Sequence, residues 1–498
     1  MTKLNKKLIF YIIGMLLVFN AGAMIISSFV SILYNDGVFS EIILSAIFLI
    51  ILGFIIMFFC KNNIRQINKR DGYIIVTIGW LTMVFSGMLP YYTTNSINSF
   101  PNLFFETMSG YTTTGSTILN DIEALPKSII FWRSMTHWLG GMGIIVLAIA
   151  ILPLLGIGGM QLFSAEAPGI NSDKIHPRIS DTAKRLWIIY VGLTFLETIL
   201  LKIAGMSFFD AINTSMSNIA SGGFSSRNGS IGYWNDIPLI QYIIILFMFL
   251  AGTNFVLIYF GIIGKIKKII RDTEFKWYLS LISSFVIIVT ITLYFSVDLS
   301  TTDVNHPQVL GKFESSFRHA LFQVVAIITT TGFVTGDFIS WGPFLTMLFF
   351  GIMFLGGSSG STSGGVKILR HLILIKNGFL EFKRSLHPNA ILPLRHNNSV
   401  VEKPIIIHVL AFFILYLILF IFGAGVLSLL GLDFMSAIGG AASSIGNVGP
   451  ALGSLGPISN FDSLPDLGKY WCSFLMLIGR LELFTVLILF TPFFWRDR

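Results

Sequence analysis

The chain is poor in charge and poorer in cysteine: of 498 residues, 12% are Asp, Glu, Lys or Arg, and two are Cys. So small a charged fraction excludes an ordinary soluble domain, where about 25% is usual. Cys60 and Cys472 sit near the ends of different apolar runs, with neither a disulfide framework nor a metal-ligand spacing. Also missing are a nucleophilic triad, a His/Cys/acid cluster and a phosphate loop set between strand and helix. Enzymatic activity is therefore not expected, and no cofactor is expected in this chain. What replaces charge is apolar: 54% hydrophobic residues, 47 of them Phe, and a mean hydropathy of +0.78.

Runs near Leu8–Leu33, Ile42–Phe59, Trp187–Ala204, Leu239–Ile263, Leu279–Phe295 and Ile405–Leu430 are each long enough to cross a ~30 Å hydrocarbon core as helix. The first lacks a small-residue cleavage site and a second follows at once, so it reads as a span and not a leader. A formal net charge of +8 suits nucleic acid in principle, but its placement argues otherwise. Lys3, Lys6 and Lys7 precede the first run; Lys61, Arg65, Lys69 and Arg70 follow the second. Lys265, Lys267, Lys268 and Arg271 follow Ile263, and Lys383, Arg384 and Arg395 precede Ile405. The positive-inside rule puts these segments, the Arg496–Arg498 end and both termini in the cytoplasm. Connections around Asn120–Glu123, Asn235–Asp236, Val297–Asp303 and Asp462–Asp466, nearly free of Lys and Arg, belong outside. No nucleic-acid partner is expected; membrane lipid is.

Four similar segments recur. The first is Glu106-Thr107-Met108-Ser109-Gly110-Tyr111-Thr112-Thr113-Thr114-Gly115-Ser116 and the second Thr214-Ser215-Met216-Ser217-Asn218-Ile219-Ala220-Ser221-Gly222-Gly223-Phe224. The third ends Ile328-Thr329-Thr330-Thr331-Gly332-Phe333, and the fourth Ser443-Ser444-Ile445-Gly446-Asn447-Val448-Gly449-Pro450. Each is too short to span, ends in small or hydroxyl residues and a glycine, and lies between two apolar runs. Non-helical backbone at membrane depth survives only where it is buried or lines a wet cavity. Glycine lets successive carbonyls turn toward one axis, where they can replace the water shell of a monovalent cation. One Thr-Thr-Gly alone is a turn; four between spans predict a filter.

The expected fold is an all-α integral membrane protein: four pseudo-repeated helix, pore-loop, helix units around one central pore, plus two extra N-terminal helices. About ten spans of roughly 20 residues result. The division is 1–70 for the two leading helices, 71–156 for unit 1, 157–185 for a cytoplasmic connection and 186–276 for unit 2. Unit 3 takes 277–376, a second cytoplasmic connection 377–403, and unit 4 404–498. The inner runs are Ile130–Leu155, Leu239–Ile263, Pro343–Leu372 and Trp471–Phe494.

This pattern resembles the Trk/Ktr/HKT superfamily of potassium transporters, most closely its bacterial TrkH/TrkG branch. Besides the loops, the resemblance rests on Arg133-Ser134-Met135-Thr136-His137-Trp138-Leu139-Gly140-Gly141-Met142-Gly143, Pro177-Arg178-Ile179-Ser180-Asp181-Thr182-Ala183-Lys184 and Gly479-Arg480-Leu481-Glu482-Leu483-Phe484-Thr485. It covers nearly the whole chain, and the two leading runs favour TrkH over the shorter Ktr type. Carried over position by position, it implies filter glycines at Gly115, Gly223, Gly332 and Gly449. The filter carbonyls are then those of Thr113, Thr114, Ser221, Gly222, Thr330, Thr331, Asn447 and Val448, with potassium as the transported ion. Gly222 is an alternative to Gly223; the latter is preferred because it precedes Phe224 as Gly332 precedes Phe333. The resemblance further implies a bacterial inner-membrane homodimer, each subunit with its own pore, and a cytoplasmic TrkA-type partner that binds nucleotide and controls the gate.

Gly356-Gly357-Ser358-Ser359-Gly360-Ser361-Thr362-Ser363-Gly364-Gly365 interrupts the third inner run and cannot hold a regular helix. In the family the matching segment is an intramembrane loop below the filter, so Gly356, Gly357, Gly360, Gly364 and Gly365 are expected to form a gate. Arg480 is a charge within a span, costly unless it meets water or a partner; the resemblance sets it beside that loop as part of the gate, where it adds an electrostatic barrier to cations, and the alternative is snorkelling to the inner face. Arg133 and His137, four apart, are expected to pair with each other by hydrogen bonding. Glu197 is expected to have a buried structural partner. Trp132 with Trp138 and Tyr91 with Tyr92 suit interfacial belts. Channel-like conduction is expected, with a proton- or sodium-coupled symporter as alternative. A polytopic membrane enzyme and a rocking carrier with inverted repeats are the other classes, disfavoured because all four units run in the same direction.

Overall fold

The computed structural model describes residues 4–60, 69–146, 179–299, 306–397 and 399–496. Lys61, Arg65, Pro177, Arg178, Arg498 and most of the 157–185 connection lie outside them.

Two long apolar helices, Lys6–Tyr34 and Phe39–Cys60, pack along each other through Gly14 and Gly53. A side-chain carbon added at either glycine would stand 2.8 Å from the other's carbonyl oxygen, so only glycine lets these backbones approach so closely. Four repeats follow. Their outer helices are Lys69–Gly87, Ile179–Ile203, Thr273–Ser296 and Lys403–Leu429. Their half-helices are Phe100–Tyr111, Phe208–Ile219, Lys312–Ile328 and Phe434–Gly446. Ser99, Ser207 and Asp433 cap three of the half-helices, accepting from backbone N–H groups that the first turn leaves orphaned.

The inner helices differ from the expected continuous spans. Among the described residues six helices are long and apolar enough to cross a membrane, or eight if two bent pairs each count once, against the ten expected. The second inner run breaks by 109° between Pro238–Ala251 and Phe255–Ile262, and the fourth by 109° between Asp466–Arg480 and Phe484–Phe490. The third is a ten-residue helix, Pro343–Ile352, then the glycine–serine loop, then Ile368–Leu386. Only the third break was expected. Local chemistry explains the second, where the Asn254 side chain accepts from the Val256 N–H at 2.8 Å and starts a new helix just after Gly252. At the fourth, Glu482 is left-handed (φ 56°) and its carboxylate pairs with Arg370 at 2.5 Å.

The connections gather into two groups, with the helices running between. In one, Asn120 donates to Asp462 (2.9 Å), Asn460 to Asn120 (2.7 Å) and Asn228 to Asp121 (2.9 Å). In the other, Asn397 of a short hairpin bonds Thr273 N–H and Asp272, both at 2.9 Å. The belt reading fails for Trp132 and Tyr91, which are fully buried, Trp132 donating to Gly87 O at 3.1 Å, while Tyr92 is exposed. Trp132 fills the core beside the first half-helix because its N–H finds that carbonyl there.

Asp433 offers a simple test of the fourth half-helix. Its carboxylate accepts from Met435 N–H (3.1 Å) and Ser436 N–H (3.2 Å). The Ser436 side chain and N–H hold its carboxyl below the usual 3.8. We expect Asp433→Ala to cost about 1 kcal/mol of stability, read as a lower unfolding temperature of the purified protein. A depressed folded-state pKa stabilises above the unfolded value. The difference between wild type and variant is thus full at neutral pH and vanishes as pH falls below 3.8 and through the lowered value.

Candidate functional site

Each half-helix ends in the same hydrogen-bonded turn. Backbone N–H groups of Thr114, Gly222, Thr331 and Val448 reach back to carbonyls of Ser109, Ser217, Ala326 and Ser443, at 2.8 to 3.0 Å. That is the six-to-one closure of a Schellman cap, whose turning residue is left-handed and usually glycine. Here the turning residues are Thr113, Ser221, Thr330 and Asn447, with φ of 50°, 55°, 54° and 53°. Each costs about 1–2 kcal/mol over glycine, and a β-branched Thr in this region is an outlier. At Ser221, Thr330 and Asn447, side-chain hydrogen bonds offset that strain.

Two residues further on, Gly115, Gly223, Gly332 and Gly449 are left-handed again, with φ of 85°, 79°, 73° and 104°. These four close a ring. A side-chain carbon added at Gly115 would overlap the carbonyl oxygen of Gly222; at Gly223, that of Thr331; at Gly332, that of Val448; and at Gly449, that of Thr114 at 2.7 Å. Each loop thus lays its glycine against a carbonyl of the next, and the fourth returns to the first. Gly222 is not part of this series: a carbon there would strike the His137 ring. The fourth loop departs from fourfold symmetry, because Gly449 O already accepts from Ser116 and Ser443, both at 2.9 Å.

Below the ring, the turning residues meet the glycine–serine loop. Ser221 Oγ lies 2.9 Å from Thr362 Oγ1, and Thr330 Oγ1 accepts from Gly364 N–H at 2.6 Å. Asn447 instead donates to Thr114 Oγ1 (3.0 Å) and Met476 O (2.9 Å). Thr113 Oγ1 is buried with no hydrogen-bond partner among the described residues. The loop is wedged, not loose. Its Ser358 N–H bonds Gly252 O at the bend of the second inner run (2.8 Å), and Ser359 N–H bonds Glu274 at 2.6 Å. Lys367 Nζ caps it at Ser363 O (2.6 Å), and Arg480 Nη1 donates to Thr362 O at 3.0 Å. Arg480 is 3% exposed, and its Nε and Nη2 have no partner among the described residues.

Above the ring opens a polar vestibule lined by Ser116, Thr117, Asn120, Arg227, Asn228 and Asn460 among others. Beside it the expected Arg133–His137 pair is absent, because each finds a nearer partner in another segment. Arg133 forms a buried ion pair with Glu106 at 2.8 Å, and His137 Nδ1 lies 3.3 Å from Ser217 Oγ. Glu197 accepts from Asn218 Nδ2 at 2.6 Å, as a buried structural partner requires.

The structure therefore gathers the twelve loop residues singled out by sequence around one place: the four glycines and the carbonyls of Thr114, Gly222, Thr331 and Val448 close the ring, and Ser221 and Thr330 bond the glycine–serine loop beneath it, with Arg480 against that loop. Sequence reading missed Thr362, Glu106 and Phe224 as individual contributors. Thr362 is the one residue of the glycine–serine run with a methyl-bearing hydroxyl, a weak signal; Glu106, the sole acid of its half-helix, was a stronger one.

Comparison with known proteins gives a consistent placement. A family model described as "TrkH: Cation transport protein" matches residues 39–497. The chain is 39% identical over 489 residues to the Trk system potassium uptake protein TrkH of Salmonella typhimurium, with 98% of each covered. It is 37% identical over 467 residues to the Trk system potassium uptake protein TrkG of Escherichia coli, covering 91% of this chain and 92% of that one. The crystal structure of the potassium transporter TrkH from Vibrio parahaemolyticus matches with a TM-score of 0.87 at 36% identity, covering 98% of this chain and 99% of that chain.

Proposed function

The chain belongs to the TrkH family of cation transport proteins, and from that premise we propose that it takes up potassium by letting the ion pass, channel-like, through the ring of Gly115, Gly223, Gly332 and Gly449. It is a transporter, not an enzyme. The observation that carries the reading is the closed ring: four left-handed glycines, each against a carbonyl of the next loop, with left-handed Thr113, Ser221, Thr330 and Asn447 two residues before. Alternating left-handed residues aim successive carbonyls at one axis, and carbonyls replace water around a desolvated monovalent cation. The filter set is Thr113, Thr114, Gly115, Ser221, Gly222, Gly223, Thr330, Thr331, Gly332, Asn447, Val448 and Gly449.

The wedge of residues 356–365 is the gate in this reading, and its hydrogen bonds to Ser221, Thr330 and Arg480 support a closed state. Opening needs those bonds exchanged and the loop withdrawn toward the basic face that carries Lys376, Lys383, Arg384 and Arg395. We place that face and both termini in the cytoplasm of a bacterial inner membrane, following the positive-inside rule. A TrkA-type nucleotide-binding partner docks there, and the chain works as a homodimer with one pore per subunit; both rest on the family resemblance.

The test is rubidium uptake into proteoliposomes holding this protein alone, under an imposed potential, with sodium and proton gradients varied. The membrane potential alone supplies about 2.3 kcal/mol per charge per 100 mV, so uptake should follow it with no proton or sodium gradient. Uptake that requires either gradient would replace the channel reading with a coupled carrier.

A further inference from the structure

The second loop is the weakest wall of the ring. Where the others read Thr-Gly or Val-Gly at the carbonyl and glycine positions, it reads Gly222-Gly223. Two adjacent glycines carry the most backbone freedom to be lost, and neither has a side chain to anchor. The carbonyl of Gly222 is nevertheless the one set against Gly115. Its position must be fixed from outside the loop.

That support comes from one helix of the first repeat, Lys127–Val146. His137 fills the space that a side chain at Gly222 would take, and its ring stacks on Phe224 with centroids 3.9 Å apart. The Arg133 guanidinium carbon lies 4.0 Å from the Phe224 ring centroid. Arg133 divides its donors among three segments: Nε to Glu106 in the first half-helix (2.8 Å), Nη2 to Thr117 Oγ1 past the first loop (3.3 Å), and Nη1 to Ser225 O past the second (3.1 Å). Glu106 accepts in turn from the Thr117 hydroxyl and Ile118 N–H, both at 3.0 Å. Arg133 and Glu106 side chains are 1% and 0% exposed. A planar fork suits this task because its donors diverge in fixed directions. Counting seven residues back from each turning residue, the places of Glu106 in the other repeats are held by Thr214, Gln323 and Gly440. Only the first repeat has a carboxylate there, and only the second loop has the double glycine.

We propose that Arg133 and Glu106 are positioning residues that hold the Gly222–Phe224 segment against the first loop and thereby set discrimination between potassium and sodium. The proposal rests on the filter reading above. Neither residue belongs to the ring of glycines and carbonyls; Arg133 acts through the Ser225 carbonyl and the Phe224 ring, and Glu106 acts through Arg133.

The experiment is rubidium uptake by the full chain in proteoliposomes, read as the sodium concentration that halves it, for Glu106→Gln, Arg133→Lys, Arg133→Met and Phe224→Leu. Thermal unfolding of each purified variant is recorded beside it. Each should make uptake about tenfold more sensitive to sodium, which for the charge variants is the size of one lost charge-assisted bond. Phe224→Leu strands no buried charge, so it carries the test if the charge variants fail to fold. Sodium sensitivity like wild type in folded variants, with only melting temperature or total uptake lowered, would show a merely structural pair and overturn the proposal. Opposite changes in uptake for Glu106→Gln and Arg133→Met, at constant sodium sensitivity, would show a charge effect and overturn it equally. Gly332→Ser runs in the same assay. If it also leaves sodium sensitivity unchanged, the filter reading has failed; if it alone changes it, only the brace has.

Discussion

Gly332→Ser should abolish selective rubidium uptake, lowering it at least about tenfold and letting sodium compete. The residue sits at φ 73°, where a side chain costs about 1–2 kcal/mol. The larger effect is the close approach. The added carbon would overlap Val448 O and stand 3.0 Å from Pro450 Cδ, so the fourth loop must move. In the proposed filter that ring substitutes for an ion's hydration shell, so moving one of its carbonyls should alter the fit for the ion. Gly205→Ser is the control. Gly205 is also left-handed, at φ 107°, but a side-chain carbon there meets nothing within 4 Å. It shares the strain without the approach, so its variant should keep wild-type selectivity. Equal loss in both would assign the effect to backbone strain and remove the ring from the explanation.

Arg480→Ala should raise uptake by about ten- to thirtyfold. A unit positive charge roughly 8 Å from a passing cation, at an effective dielectric of about 20, opposes it by about 2 kcal/mol, and each 1.4 kcal/mol is about tenfold. The change also frees Thr362 O from the Arg480 guanidinium, loosening the wedge. Folding should survive, because the guanidinium is buried with two of its nitrogens unpartnered among the described residues, and its removal relieves desolvation. Arg480→Lys keeps the charge and should stay near wild type. Uptake unchanged in Arg480→Ala would remove this arginine from the barrier and leave it a structural role at the Thr362 carbonyl.

The fold and most of the ring were legible in the chain because their determinants are local. Apolar runs set the helices, since lipid gives a backbone no other partner. The loops announced themselves by composition, each a short segment between apolar runs ending in small or hydroxyl residues and a glycine. The glycine–serine interruption was visible for the same reason. Harder to see were the breaks after Gly252 and at Glu482: a single glycine inside an apolar run is tolerated often enough to carry no signal. The break at Glu482 depends on Arg370, more than a hundred residues away.

What the sequence determined by itself, then, was which segments turn and which span, through backbone preferences that each short stretch carries alone. The tertiary structure decided which surfaces those turns meet. That Gly223 and not Gly222 faces the next loop, that Arg133 takes Glu106 and not His137 four residues on, and that Thr362 rather than a neighbouring serine receives Arg480 are settled by approach between distant segments. A buried charge takes whichever partner the packing brings within hydrogen-bond reach, and spacing along one helix does not contain that information.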